Sequence, residues 1–169
     1  TLFAQRGYAQ VTMDDVAAAV GVTKPLLYTY FGNKERLYLE CMRPAAEALL
    51  GTVLEAVAAA DDPADALARG THAFFAFMDA DREAWRVLFD GTLPAGGEVG
   101  ARVAEYRERL ADMTAANLLS RLPARRRARA ATEVEALSAA LLGASEALGR
   151  WWLRTGEIPA AAAADLLIS

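Results

Sequence analysis

At 169 residues, 54% of them apolar and 8% aromatic, the chain is long enough to bury a substantial core and too hydrophobic for wholesale disorder. A net charge of −4 excludes a protein that coats nucleic acid by overall basicity, so any DNA contact must be local. The apolar stretches are broken by charges before the roughly 18 residues a membrane span needs, and no signal-peptide pattern opens the sequence, which predicts a cytoplasmic protein with no membrane partner.

Ala and Leu dominate, strand-favouring runs are missing, and the apolar positions recur with a helical period, so the expected class is all-α. Thr1 to Gly7 reads as the last turns of a helix stopped by glycine, which implies that the start of that helix is missing. Thr12 and Asp15 are spaced as a capping box opening a helix over Met13 to Val20, with Met13, Val16, Ala17 and Val20 on one face. Gly21 breaks it. Thr23 can cap a second short helix, in which Pro25 is harmless because first-turn amides have no intrahelical partner, and Gly32 ends it. Asn33 caps a third helix running from Lys34 to about Ala60.

Asp61-Asp62-Pro63 stops that helix and starts another, which reaches Asp79. A shorter helix follows from Arg82 to Phe89. The stretch Gly91 to Gly97 is the clearest loop, and a long helix runs from Val99 to about Leu122. Pro123 and the arginines 125, 126, 127 and 129 mark the next boundary, before a helix from about Ala128 or Thr132 to Thr155. Gly156 and Pro159 separate it from a last, Ala-rich helix. The organisation expected is a three-helix domain over residues 1–43 and a helical body over 44–169.

The first domain carries the functional signal. Residues 1–43 hold five basic groups against four acidic ones, a net +1 that leaves −5 for the remainder. Two short helices joined by a glycine-containing turn suit a plain packing hairpin or a helix-turn-helix, in which the second helix enters a major groove. The second helix favours the latter. Thr23, Lys24, Leu26, Tyr28 and Tyr30 present hydroxyls, a cation and an apolar contact where core packing would ask for Leu and Ala, and such groups hold phosphates and base edges. Leu27 and Phe31, four apart, form its buried side.

In the body, Phe74, Phe77, Met78, Trp85, Leu88, Phe89, Tyr106, Met113 and Asn117 are bulky or polar groups on three consecutive helices, and helical bundles build ligand pockets between such faces. Each also suits core packing. Asn117 and Glu146 stand out as polar groups within apolar stripes that must find a partner or a ligand's polar end. Val134, Leu137, Leu141, Ser145, Leu148 and Trp152 step by three or four residues, as the seam of a helix packed on another helix does.

An enzyme is disfavoured. There is no Gly-x-Ser-x-Gly turn, and the loop at 91–97 lacks the Gly-Lys-Ser/Thr of a phosphate-binding loop. His72 and Cys41 are each the sole residue of their type, so a histidine-cluster metal site and a Cys-His pair lack parts, and no metal or cofactor is expected. A purely structural helical interaction protein would explain the body but not the Thr-Lys-Tyr-Tyr surface.

Phe3-Ala4-Gln5-Arg6-Gly7-Tyr8, Thr12 with its acidic helix, Val20-Gly21-Val22, Leu27-Tyr28-Thr29-Tyr30-Phe31 and Lys34-Glu35 before Leu37 together closely resemble the tetracycline-repressor (TetR) family. The resemblance covers Leu2 to Glu40. It implies that Thr12, Tyr28 and Lys34 grip backbone phosphates, while Thr23, Lys24, Pro25, Leu26 and Tyr30 face the groove. It also implies a C-terminal bundle in which the last two helices pair with their copies in a homodimer, a palindromic double-stranded DNA operator as partner, and repression relieved by a small apolar effector.

Overall fold

The computed structural model describes residues 1–169, which form nine α-helices and no strand. The helices are α1 (Leu2–Arg6), α2 (Met13–Val20), α3 (Lys24–Phe31), α4 (Lys34–Ala58), α5 (Pro63–Ala80), α6 (Arg82–Leu88), α7 (Gly97–Ser120), α8 (Ala124–Thr155) and α9 (Ala160–Ile168). No helix is long and apolar enough to cross a membrane. The chain divides into two compact units, Thr1–Glu47 with Asp81–Glu105, and Ala48–Ala80 with Tyr106–Ser169. Residues 81–105, placed with the body in the sequence-based division, make their contacts chiefly with the N-terminal helices.

In the first unit an aromatic cluster explains that assignment. Tyr38 is fully buried and meets Phe3 and Tyr8 edge-on, each with ring centroids 5.0 Å away. Its hydroxyl donates to the Val87 carbonyl of α6, and burial pushes the phenol far above its ordinary pKa. Just beyond α6, the Asp90 carboxylate accepts the Tyr8 amide and the Thr92 hydroxyl oxygen accepts the Ala9 amide. The turn between α1 and α2 is thus held by side chains more than eighty residues away in sequence.

Helix α2 begins as its sequence dictates. The Thr12 hydroxyl oxygen accepts the Asp15 amide at 3.1 Å, and the Asp15 carboxylate accepts the Thr12 amide at 2.8 Å, closing the capping box. Thr12→Ala is expected to cost about 1 kcal/mol of stability in urea unfolding. A loss indistinguishable from zero would mean that the box contributes nothing to the fold. The Thr12 hydrogen bonds also hold the Asp15 carboxyl below its ordinary value of 3.8. Its contribution is therefore complete above that ordinary value and lost as pH falls toward the lowered one.

Gly21 ends α2 in the left-handed region (φ 71°, ψ 30°), a conformation that β-carbon sterics deny most residues and that turns the chain sharply into α3. Met13 and Ala17 of the predicted apolar face are buried, whereas Val20, at the last turn, stays 61% exposed. Thr23 occupies the N-cap position of α3 with extended backbone, but its side chain makes no capping bond.

In the second unit α9 lies against α5 and α8. Phe75 and Met78 are fully buried there, and the Trp152 ring meets Phe75 edge-on at 6.4 Å while its Nε1 donates to the Ile158 carbonyl at 2.6 Å. Gly70 lets α5 approach α4: a β-carbon at that position would stand 2.8 Å from Val57 Cγ2. Arg121 donates to the Ala60 and Val57 carbonyls at 2.6 and 2.7 Å, placing a cation on the C-terminal carbonyls of α4, where the helix dipole favours it.

The arginine run is not the interhelical boundary that its charge suggests. Helix α8 starts directly after Pro123 and includes all four arginines. Arg127 reaches back to the Leu122 and Ser120 carbonyls, both at 2.9 Å, so it closes the end of α7 while the run as a whole extends α8 with good helix formers.

Candidate functional site

Helix α3 sorts its side chains cleanly by exposure. Leu27 is 6% exposed and anchors the helix, whereas Leu26, Tyr28 and Tyr30 are 43%, 44% and 76% exposed. Large apolar and aromatic groups left in water on one short helix are the informative exception to burial. Thr23, Lys24 and Pro25 are also exposed, so all five residues predicted to face a groove lie outside the core. The Thr29 hydroxyl donates to the Pro25 carbonyl at 2.9 Å and is turned back onto its own helix.

The two cations of this surface are already engaged. Lys24 Nζ lies 2.7 Å from Asp14 Oδ2 of α2; the carboxylate raises the lysine pKa, first through the hydrogen bond and then through its charge. Lys34 Nζ stands 4.2 Å above the centre of the Tyr8 ring, a cation–π seat. Thr12, predicted to hold a phosphate, is exposed and joined to Asp15. Sequence reasoning missed Asp14 and Tyr8 as the partners that position these groups. The ten-residue separation of Asp14 and Lys24 across a turn gives no periodic signal.

The second unit contains a partly open cavity with about 450 Å³ of empty space, its mouth included. Helix α4 contributes Val53 and Val57 to its wall, and α5 contributes Ala66, Leu67, Gly70, Thr71 and Phe74. Helix α7 adds Leu110 and Thr114; α8 adds Ser138, Leu141, Leu142 and Ser145. No charged side chain lines it. Two hydroxyls, Thr71 Oγ1 and Ser138 Oγ, are buried there without a hydrogen-bond partner within the protein.

Of the ten residues predicted to touch a ligand, Phe74 lines this cavity. Met78 is packed in the core of the second unit, and Phe77, Tyr106 and Met113 are half-buried away from the cavity wall. Trp85, Leu88 and Phe89 belong to the first unit, where Trp85 and Phe89 stack at 3.7 Å. Asn117 Oδ1 accepts from Arg121 Nε at 2.9 Å. Glu146, its side chain 8% exposed, takes a two-pronged grip from Arg107 at 2.9 and 3.0 Å, with Arg150 at 3.7 Å. Both polar groups singled out by the sequence are therefore satisfied by arginines, while the unpartnered hydroxyls of the cavity come from Thr71 and Ser138. Those two carry the same signal, a polar group within an apolar stripe.

The predicted seam of α8 also divides. Ser145 and Trp152 are buried within their own chain, and Leu141 lines the cavity. Val134 and Leu148 are half-buried. Leu137 is 62% exposed, and it shares an exposed face with Ala136, Ala140, Gly143, Ala144 and Ala147. Periodicity selects the bulkiest stripe, and apart from Leu137 that stripe faces the chain's own bundle; the face left free is otherwise made of small residues.

The N-terminal helices match the family profile described as "Bacterial regulatory proteins, tetR family" over residues 1–41, and residues 63–169 match the profile "Tetracyclin repressor-like, C-terminal domain". The chain belongs to the TetR family. A TetR-like transcriptional regulator from Rhodococcus sp. RHA1 superposes with a TM-score of 0.76 at 30% identity, covering 99% of this chain and 85% of that one. The HTH-type transcriptional activator FasR of Mycolicibacterium smegmatis is 32% identical over 66% of this chain and 51% of its own length. The HTH-type transcriptional repressor KstR2 of Rhodococcus jostii is 32% identical over 53% of this chain and 44% of its own. The chain thus spans about half the length of the curated TetR-type relatives it matches. These relatives are named as regulators rather than enzymes.

Proposed function

We propose that this chain is a cytoplasmic, DNA-binding transcription regulator that reads an operator with α3 and represses by occupying it. The observation that carries the reading is the exposure of Leu26, Tyr28 and Tyr30 beside Lys24 on a helix anchored by Leu27. Tyr28, Lys34 and Thr12 hold phosphates; Thr23, Lys24, Pro25, Leu26 and Tyr30 approach base edges. Membership of the family and the relatives named HTH-type regulators support it.

The working unit is a homodimer joined through α8 and α9. The exposed small-residue face around Leu137, together with Leu166 at 59% exposure on α9, offers an apolar surface on which helices can pack closely. A two-fold dimer presents two α3 helices about 34 Å apart, one to each half of a palindrome. A small apolar effector in the cavity of the second unit weakens operator binding by about 5- to 150-fold through a coupling of roughly 1–3 kcal/mol.

Selection of duplexes from a random pool, followed by anisotropy at two salt concentrations and light scattering, tests this reading. The expected result is a dimer on a two-fold symmetric site with half-sites about one helical turn apart and affinity that falls steeply with salt. A monomer at micromolar concentration, or enrichment of no duplex, rejects it. In the same assay Asp14→Asn is expected to bind roughly two- to fivefold more tightly, because it frees Lys24 and removes a negative charge from the surface facing phosphates. Weaker binding would mean that the Asp14 pair positions Lys24 rather than restraining it.

A further inference from the structure

The cavity of the second unit combines features that together specify the polarity of its guest. Thr71 and Ser138 are 4% and 3% exposed, both line the cavity, and both hydroxyl oxygens lack a partner within the protein. A buried hydroxyl without a hydrogen bond is costly, and most such groups in folded proteins are satisfied. Thr114, also on the wall, already donates to the Leu110 carbonyl at 2.8 Å. Apart from its hydroxyl-bearing residues the wall is aliphatic or aromatic.

Charge is missing from the same wall. The buried carboxylate of this unit, Glu146, is held by Arg107 and Arg150, and Arg121 is committed to the Ala60 and Val57 carbonyls and to Asn117. A carboxylate or phosphate entering the cavity would lose its hydration with no cation to meet it, and an ammonium would find no anion; either is strongly unfavourable in an apolar site.

We infer that the cavity takes an uncharged guest, an apolar skeleton bearing one neutral oxygen function, an alcohol or a carbonyl, that hydrogen-bonds to Thr71 and Ser138. A carbonyl oxygen has two lone pairs and can accept from both hydroxyls; an alcohol can accept from one and donate to the other. The inference rests on the reading of this cavity as the effector site and narrows the class of effector from apolar to neutral and oxygenated. Anionic amphiphiles of the same chain length are disfavoured by it.

The test titrates the full chain with 1-octanol, 2-octanone and octanoate at neutral pH, following the heat of binding and the rise in melting temperature. Octanol and octanone are expected to bind at least about tenfold more tightly than octanoate. Thr71→Val with Ser138→Ala is expected to lose about tenfold in affinity for octanol and octanone, two hydrogen bonds of ordinary strength, while its own melting temperature is unchanged or higher because two unpaired buried hydroxyls are gone. Thr71→Val alone carries the test should the pair fail to fold, with a loss of about threefold. Octanoate binding as tightly as octanol, or the variants binding octanol as tightly as the parent, overturns the neutral-oxygen assignment and leaves the cavity reading standing. Failure of all three probes in a chain that still binds its duplex overturns both.

Discussion

Lys24→Ala combined with Tyr28→Ala is expected to weaken binding to a selected duplex by about 10- to 100-fold, on the order of 1 kcal/mol for each side chain withdrawn from a base or phosphate. The size of the effect follows from where the two side chains lie. Tyr28 is 44% exposed and the Lys24 side chain 46% exposed, so neither is needed to hold α3, which Leu27 anchors. Unfolding should therefore change by no more than about 0.5 kcal/mol, as for other surface substitutions. Two charge effects act in the same direction. Removing Lys24 eliminates one cation, and it leaves the Asp14 carboxylate, now unpaired at 2.7 Å from where the ammonium stood, facing the phosphates. The salt dependence should become shallower by about one counterion per half-site. Unchanged affinity with an unchanged salt slope would show that α3 is not the reader, whatever the rest of the chain does.

Arg107→Ala is expected to destabilise the second unit by about 2–3 kcal/mol, measured by urea unfolding. Breaking a buried ion pair ordinarily costs about 3–5 kcal/mol because the remaining charge is stranded. Here the loss is reduced, since Arg107 is 45% exposed and Arg150 remains 3.7 Å from the carboxylate. Glu146→Gln should cost less, about 1 kcal/mol, because the neutral amide keeps an acceptor for Arg107 and removes the charge that needed compensation. Arg107→Lys should not restore the parent, because an ammonium cannot reproduce the two parallel bonds at 2.9 and 3.0 Å. The order Arg107→Ala worse than Glu146→Gln is the diagnostic; the reverse order would mean that Glu146 is not a charge held by Arg107.

This ion pair also bears on function. Glu146 had the sequence signature of a ligand-orienting group, a charge inside an apolar stripe. Its partner stands 39 residues earlier, on α7, and nothing in the local pattern of α8 announces it. Thr71 and Ser138 have the same signature in weaker form and end without partners, at the cavity. Residue type marks a polar group as needing satisfaction; the tertiary neighbours settle whether the protein or a ligand supplies it.

Helices, their caps and the exposed surface of α3 are written in short-range terms and were legible from the residues alone: the Thr12–Asp15 box, the Gly21 and Gly32 stops, the Asn33 cap on the Arg36 amide, and the division of α3 into buried Leu27 and exposed Tyr28 and Tyr30. Each depends on residues within three or four positions, the range over which a helix repeats. Which stripe of α8 faces inward, the packing of Trp152 on Phe75, the contacts of residues 81–105 with the N-terminal helices and the closing of α7 by Arg127 emerge only from the folded chain. These depend on which helix lies beside which, through pairings such as Arg121 with Val57, 64 residues apart. An apolar stripe carries the instruction to be buried but not the identity of the surface that buries it, so helix periodicity alone cannot distinguish a core from a pocket or a subunit interface.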